Sequence, residues 1–326
     1  MPRPERIACG VRFLQYIFSV NPYCFFSPTS LPSEAGRSPM TVKIRNATPS
    51  DAGICGRIIY DAFKTVADRH GFAPDFPSVA PATEFAKVLT SHPNIFGIVA
   101  EVDGRVVGTN FLWERDPIRG VGPLTVEPED QGRGIGRQLM AVVLDRARGA
   151  AGVRLVQDAF NTASIALYAS LGFVVREPLL LLQGMPKEQP VTGATVRRLT
   201  EADLGICGII AKRVHGYERS GELRDALRFL NPFVVKRDGR VRGYLTMPAF
   251  WPANHAVAET EQDMQALILG AAATGQEPSS MILPTRQSEL LRWCLSEPFR
   301  VLKPLTLMTI GAYQEPKGAY FPSVIY

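Results

Sequence analysis

The stretch from Val126 to Met140 reads VEPEDQGRGIGRQLM. It follows an apolar run with strand character and opens a segment with helical periodicity. Glycines at 132, 134 and 136 let successive backbone N–H groups turn toward one ligand without a Cβ in the way. The N-terminus of the following helix adds partial positive charge at the same place, so the implied chemistry is phosphate binding. Arg133 and Arg137 can add charge-assisted hydrogen bonds.

What surrounds the glycines separates the known phosphate loops. A Walker A loop ends in Gly-Lys-Ser/Thr, and this one does not. A Rossmann fingerprint is the stronger rival, because an acidic residue, Asp158, follows at about the right distance of ~20 residues. Its third glycine slot is nevertheless Arg137 counted from Gly132, and Leu139 counted from Gly134. A third form, V-x-P-x-x-Q/R-G-x-G-x-G/A, is matched in full from Val126 and Pro128 through Gln131, Gly132 and Gly134 to Gly136. A second motif, N-x-x-A-x-x-x-Y-x-x-x-G-F, is matched by Asn161, Tyr168, Gly172 and Phe173, with Ser164 in the alanine slot. On these residues, residues 41–182 resemble the GNAT superfamily of N-acyltransferases.

The resemblance implies an α/β (α+β) fold in which a mixed, mostly antiparallel twisted sheet is flanked by helices. It implies acetyl-CoA as co-substrate, with its pyrophosphate on Gln131, Gly132, Arg133, Gly134, Ile135, Gly136 and Arg137. Leu124, Thr125 and Val126 would pair with the pantetheine arm, one amide there would face the thioester oxygen, and Asn161 would contact the arm. An amine attacking a thioester passes through an oxyanion that a preplaced N–H stabilises. The departing thiolate needs a proton, which assigns Tyr168 as general acid. The general base stays open among Glu127, placed first, Glu114 and Asp158. The acceptor pocket is expected to draw on the loop from His70 to Pro77, with Phe72 and Phe76, and on Trp113, Glu114 and Asp158. The resulting expectation is transfer of an acetyl group to a primary amine of a small molecule, by direct attack in a ternary complex. Two alternatives remain: a non-catalytic acyl-CoA-binding regulatory module, and an acetyltransferase acting on a protein amine.

The elements that must position these residues occur twice. Ile44–Ile58 aligns without gaps on Val196–Ile210, with 8 of 15 positions identical, at an offset of 152. DGRVVG from Asp103 is echoed by DGRVRG from Asp238, and Phe173–Leu179 by Phe299–Leu305 at an offset of 126. A pair of degenerate or intact copies in the same order is the mark of duplication. The expected organisation is an N-terminal extension over 1–39, a catalytic domain over 40–182, a linker over 183–193 and a second copy over 194–326. In each copy Asp-Gly predicts a tight hairpin. The first copy is expected to run as a strand over 41–47, a helix to about Thr65, strands over 96–102, 105–113 and 121–126, a helix over 134–148 and a terminal strand over 173–181.

The second copy lacks the chemistry. No glycine occurs between Gly243 and Gly270, and at the offset of 126 Asn161 falls on Gln287 and Tyr168 on Cys294. It is expected to be degenerate, covering the acceptor pocket or supplying a dimer surface, which leaves room for a homodimer. A net charge of +5 without a run of basic residues points away from nucleic acid. No apolar run approaches the ~18 residues that would indicate a membrane span. The five cysteines form no CxxC pair and the four histidines no metal-binding spacing, so a reducing, cytoplasmic setting without a metal is expected.

Overall fold

The computed structural model describes residues 41–187, 191–275 and 277–324. The extension over 1–39 therefore lies outside the described residues. The remainder of the chain, from Thr41 onward, forms one compact unit.

The first half runs β1 (Lys43–Asn46), α1 (Ala52–His70), α2 (Val79–Ser91), β2 (Ile95–Val102), β3 (Arg105–Trp113), β4 (Ile118–Val121), β5 (Thr125–Val126), α3 (Ile135–Arg146), β6 (Gly152–Asp158), α4 (Thr162–Ser170) and β7 (Val174–Gly184). The second runs β8 (Ala194–Arg198), α5 (Leu204–His215), α6 (Ser220–Phe229), β9 (Phe233–Arg237), β10 (Arg240–Leu245), β11 (Ala256–Ala258), α7 (Glu261–Ala272), β12 (Ser279–Pro284), α8 (Ser288–Ser296), β13 (Arg300–Gly311) and β14 (Ala319–Phe321). Helix α1 extends five residues past the expected Thr65, to a left-handed Gly71 at φ 73°. Strand β7 likewise continues to Gly184, so the first two residues of the expected linker belong to the sheet.

The sequence repeat is also a repeat of geometry. Arg45 makes a two-pronged contact to Asp51, 2.8 Å on each arm, while the Asp51 carboxylate caps the Thr48 N–H at 2.7 Å. At the offset of 152, Arg197 grips Asp203 at 2.7 and 2.8 Å, and Asp203 accepts from the Thr200 N–H at 2.9 Å. The arginine hydrogen bonds hold both carboxyls down, to a pKa of about 2. Cys55 and Cys207, one turn further on, are fully buried packing residues whose thiols burial pushes up to about 12. Both Asp-Gly hairpins carry their turn residues at positive φ, Asp103 and Gly104 at 50° and 76°, Asp238 and Gly239 at 51° and 73°.

Two sheets result. Five strands form β14-β11-β10-β9-β8 in the second half, and the other sheet has nine strands. In that larger sheet the last strands of the two halves are exchanged. β6 pairs antiparallel with β13, from Gly152↔Gly311 to Asp158↔Leu305. β7 lies on the far side of β13 and pairs with β12, from Gly184↔Ser279 to Leu179↔Pro284. The cores follow the ladder: Leu182 is buried with Phe233, Leu267 and Met281 of the second half. Ile118 and Leu179 share another cluster with Ile282 and Leu305. The halves therefore share the larger sheet, and each of these two clusters draws side chains from both halves.

The feature that positions the site is a split in the first half. The expected strand over 121–126 is broken at Gly122-Pro123, because proline lacks the N–H that a central ladder needs and Gly122 sits at φ 128°. β4 pairs parallel with β6 only from Ile118↔Gly152 to Gly120↔Arg154. Among the described residues, β5 pairs with β3 alone. Beyond Gly120, the two strands diverge and open a cleft.

Candidate active site

Both walls of the cleft come from the divergent strands. Leu124, Thr125 and Val126 line one side and Leu155, Val156, Gln157 and Asp158 the other. Gln131, Gly132, Gly134, Ile135, Gly136 and Arg137 close one end, and Asn161, Leu167 and Tyr168 of the α4 region lie along it. The volume is about 410 Å³.

The glycine loop has the conformation that phosphate binding requires. Gly132 and Gly134 are left-handed, at φ 77° and 82°, and Gly134 is the N-cap of α3. Among the described residues no side chain caps this helix, and its first turn holds no acidic residue. The amides of its first turn, normally without intrahelical partners, are thus left to an anion. Gln131 braces the loop by donating from Nε2 to the Val126 carbonyl at 3.0 Å. Arg137 lines the cleft and donates to the Ser170 hydroxyl at 2.7 Å. Arg133 does not line the cleft; it pairs with Asp130 beside the loop. The residues fit the phosphates and the extended arm of a coenzyme A thioester: the loop offers free amides, and the cleft-facing edge of β5 has no strand partner among the described residues.

Tyr168 sits on α4 with its ring edge-on to Phe173, the centroids 5.9 Å apart. Burial pushes its hydroxyl pKa well above the usual value, and the charge of Asp158 adds to the rise. The phenol therefore holds its proton at neutral pH, as a proton donor must. Asn161 is the N-cap of α4, its Oδ1 accepting from the Ser164 N–H at 3.2 Å. Ser164, which departs from the motif, donates to the Gln157 side chain at 2.6 Å and ties α4 to β6.

At Asp158 the cleft runs into a second, mostly apolar pocket. Phe63, Val121, Gly122, Pro123, Val156, Gln157 and Asp158 border both. Phe76 and Phe85 line it from the first half, and Phe250, Trp251, Pro252, Leu305 and Val324 from the second. Lys303 of β13 reaches into it, with its Nζ 2.5 Å from Asp75 Oδ1 and 2.7 Å from Asp158 Oδ1. All three side chains are largely buried. Burial pushes the Asp158 carboxyl up against the opposing charge of Lys303, and Asp75 adds to the rise. Burial alone would lower the Lys303 ammonium, but Asp75 and Asp158 outweigh it and hold it above the usual value.

Several expected residues lie elsewhere. Glu127 is buried, but its carboxylate pairs with Arg57 of α1 at 2.5 Å in a separate polar depression that also contains Asp61 and Arg105. Glu114 is held by Arg119 at 2.5 Å and Arg146 at 3.0 Å and lines neither space. Trp113 is a core side chain whose Nε1 donates to the Gly122 carbonyl at 3.2 Å. Phe72 stacks on Phe160 at 4.2 Å, outside the pocket lining. Asp158 and Phe76 do face the pocket. Asp75, Gln157, Trp251 and Lys303 were not anticipated. Asp75 belongs to the aromatic loop from His70 to Pro77, whereas Lys303 enters only through the strand exchange.

Comparison with known proteins agrees with this geometry. Residues 66–173 match the Acetyltransferase (GNAT) family. An acetyltransferase of Sodalis glossinidius is 33% identical over 105 residues, which cover 31% of this chain and 72% of that protein. A mycothiol acetyltransferase of Thermomonospora curvata is 42% identical over 80 residues, 23% of this chain but only 26% of its own length. A Pyrococcus horikoshii protein classed as an acetyltransferase superposes with a TM-score of 0.69 at 18% identity, over 91% of this chain and 98% of its own. That superposition extends the likeness of fold to both halves. The fold and the loop thus define a nucleotide-thioester-binding scaffold of the acyl-transfer class. The chain belongs to the GNAT family of acetyltransferases.

Proposed function

We propose that residues 40–182 form an acetyl-CoA-dependent N-acetyltransferase unit acting on a small primary amine in a ternary complex, and that residues 194–326 are a degenerate copy that completes the acceptor pocket. The observation carrying this reading is the continuity of the two spaces: the glycine loop, Tyr168 and Asp158 line one cleft, and Asp158 is also the doorway to the pocket.

The residues divide the reaction between them. An acceptor enters as an ammonium and gives a proton to Asp158, whose raised pKa suits it to that task. The free amine attacks the thioester carbonyl, forming a C–N bond as the C–S bond breaks. A backbone amide of Leu124–Val126 stabilises the oxyanion. Tyr168 protonates the leaving thiolate and regains a proton from the acylated nitrogen as it becomes a neutral amide, and Asp158 releases its proton to solvent. The products are the N-acetyl amine, coenzyme A and one proton. Glu127 and Glu114 take no part, since each is committed to arginine partners away from the cleft. The second-half residues over the pocket favour a small molecule over an extended protein tail. The buried free thiols of Cys55, Cys207 and Cys294 agree with a reducing, cytoplasmic setting. No described helix is long and apolar enough to cross a membrane.

Release of free coenzyme A across a panel of primary amines tests the proposal. Turnover above thioester hydrolysis with at least one small amine is expected. Tight acetyl-CoA binding with no turnover on any amine or peptide would leave only a binding module.

A further inference from the structure

The acceptor pocket carries more information than its location. Its walls are apolar and aromatic, with Phe63, Phe76, Phe85, Trp251 and Val324 among them. Into these walls are set two carboxylates and one ammonium, Asp75, Asp158 and Lys303. With all three ionised, the cluster has a net charge of −1. The Lys303 ammonium is already engaged on both sides and stands 5.4 Å from the Trp251 ring centroid. It therefore shows how this pocket holds a primary amine: nitrogen between two carboxylates, with an aromatic face nearby. A buried net negative charge in an apolar enclosure is unfavourable until a cation joins it.

Gln157 adds an independent sign of a ligand. It is only 7% exposed and borders both the cleft and the pocket. One end of its amide is held by Ser164, and Nε2 has no partner among the described residues. An unpaired buried polar group of this kind is unfavourable until a bound molecule satisfies it.

We infer that the acceptor is a monocationic primary amine with an apolar or aromatic body and no carboxylate, selected by the unequal charges of Asp75, Asp158 and Lys303. This rests on the acetyltransferase reading and narrows its substrate. A carboxylate beside the amine would meet a cluster already negative, with its single cation saturated. A second ammonium would meet Lys303. The second half thus supplies, through Lys303, the residue that limits the pocket to one added positive charge.

The experiment compares three probes on the full chain saturated with coenzyme A. They are 2-phenylethylamine, phenylalanine and the dication m-xylylenediamine. Binding is measured by calorimetry and turnover, with acetyl-CoA, by coenzyme A release. The monoamine is expected to bind at least about tenfold more tightly than phenylalanine, and more tightly than the diamine, on the scale of one lost charge-assisted contact. Asp75→Asn should weaken the monoamine by about tenfold or more. Lys303→Met should reverse the preference between monoamine and diamine, whereas Lys303→Arg should keep it. Equal or tighter binding of phenylalanine would overturn the inference, and so would an unchanged monoamine affinity in a folded Asp75→Asn. Thermal melts separate misfolding from altered binding, and the Lys303→Arg comparison is the fallback if Lys303→Met fails to fold: loss of the monoamine preference there also counts against the inference. The two proposals fail differently. Selective binding of the monoamine without coenzyme A release contradicts catalysis and leaves the charge selectivity standing; release with an amino-acid preference does the opposite.

Discussion

The two halves start alike and diverge at one helix. Both open with the same Arg–Asp clamp, the same threonine cap and the same buried cysteine. Their third-position helices differ. In the first half α3 begins at a left-handed glycine with no side-chain cap and no acid in its first turn. In the second, α7 begins after Thr260, whose hydroxyl accepts from the Asp263 N–H at 3.1 Å, and its first turn carries Glu261 and Asp263. Those acids stabilise the helix through its dipole and repel a phosphate. The comparison shows what each kind of constraint maintains. Folding needs the clamp and the core in both halves, whereas only a helix that binds an anion must leave its own amides unsatisfied.

The exchanged strands sharpen the same contrast. Lys303 and Glu177 occupy equivalent positions in the repeat, at the offset of 126. Exchange puts Lys303 beside Asp75 and Asp158. It puts Glu177 into the second half, where it meets Arg286 at 2.9 Å and the hydroxyls of Tyr313 and Tyr320 at 2.9 and 3.0 Å. Had each strand stayed in its own half, three carboxylates would crowd the acceptor pocket with no cation among them. Charge therefore favours the exchanged pairing over the unexchanged one.

The largest difference between the halves should appear in catalysis. Tyr168→Phe should lower kcat by about 10²–10⁴ in steady-state assays, with acetyl-CoA affinity unchanged. Its counterpart in the second half, Cys294→Ala, should leave kcat as it is. Next in size is the loop. Gly134→Ala forces a Cβ into a left-handed conformation that costs about 1–2 kcal/mol, so acetyl-CoA should bind roughly 5–30-fold more weakly by calorimetry. Gly136→Ala should change binding by less than about twofold, because a Cβ there would meet Leu167 at an ordinary 3.6 Å. Smaller again is Glu177→Gln, which should cost about 1–3 kcal/mol in chemical denaturation without altering kcat.

The smallest effects should be alike in both halves. Asp51→Asn and Asp203→Asn should each cost about 1–2 kcal/mol at neutral pH. Both carboxyls have a folded pKa of about 2, below the ordinary value of 3.8 for this group. Their stabilisation is therefore complete above pH ~4 and is lost as the pH falls through that window toward 2. Acid denaturation of either variant should show a shallower dependence there than the parent; an unequal response would break the symmetry drawn between the two clamps.

Much of this was legible in the chain because it is local. The glycine loop, the Asp-Gly turns and the Asn161–Tyr168 spacing depend on φ preferences and helical periodicity, which neighbouring residues dictate. The strand exchange was not, because β7 and β13 carry the same repeat-derived pattern and either could lie beside β6. Lys303 was invisible for that reason. Glu127 was misleading because it follows the strand that borders the cleft, yet its side chain meets Arg57 of α1. Trp113 misled in another way: a large aromatic beside a strand end is as readily a core residue with a satisfied indole N–H as a pocket wall.

Equilibrium binding of acetyl-CoA to the full chain tests the central claim, that two related halves hold one working site. The account predicts one molecule per chain, with affinity reduced by Gly134→Ala. Two molecules per chain, or one whose affinity ignores Gly134→Ala, would contradict it.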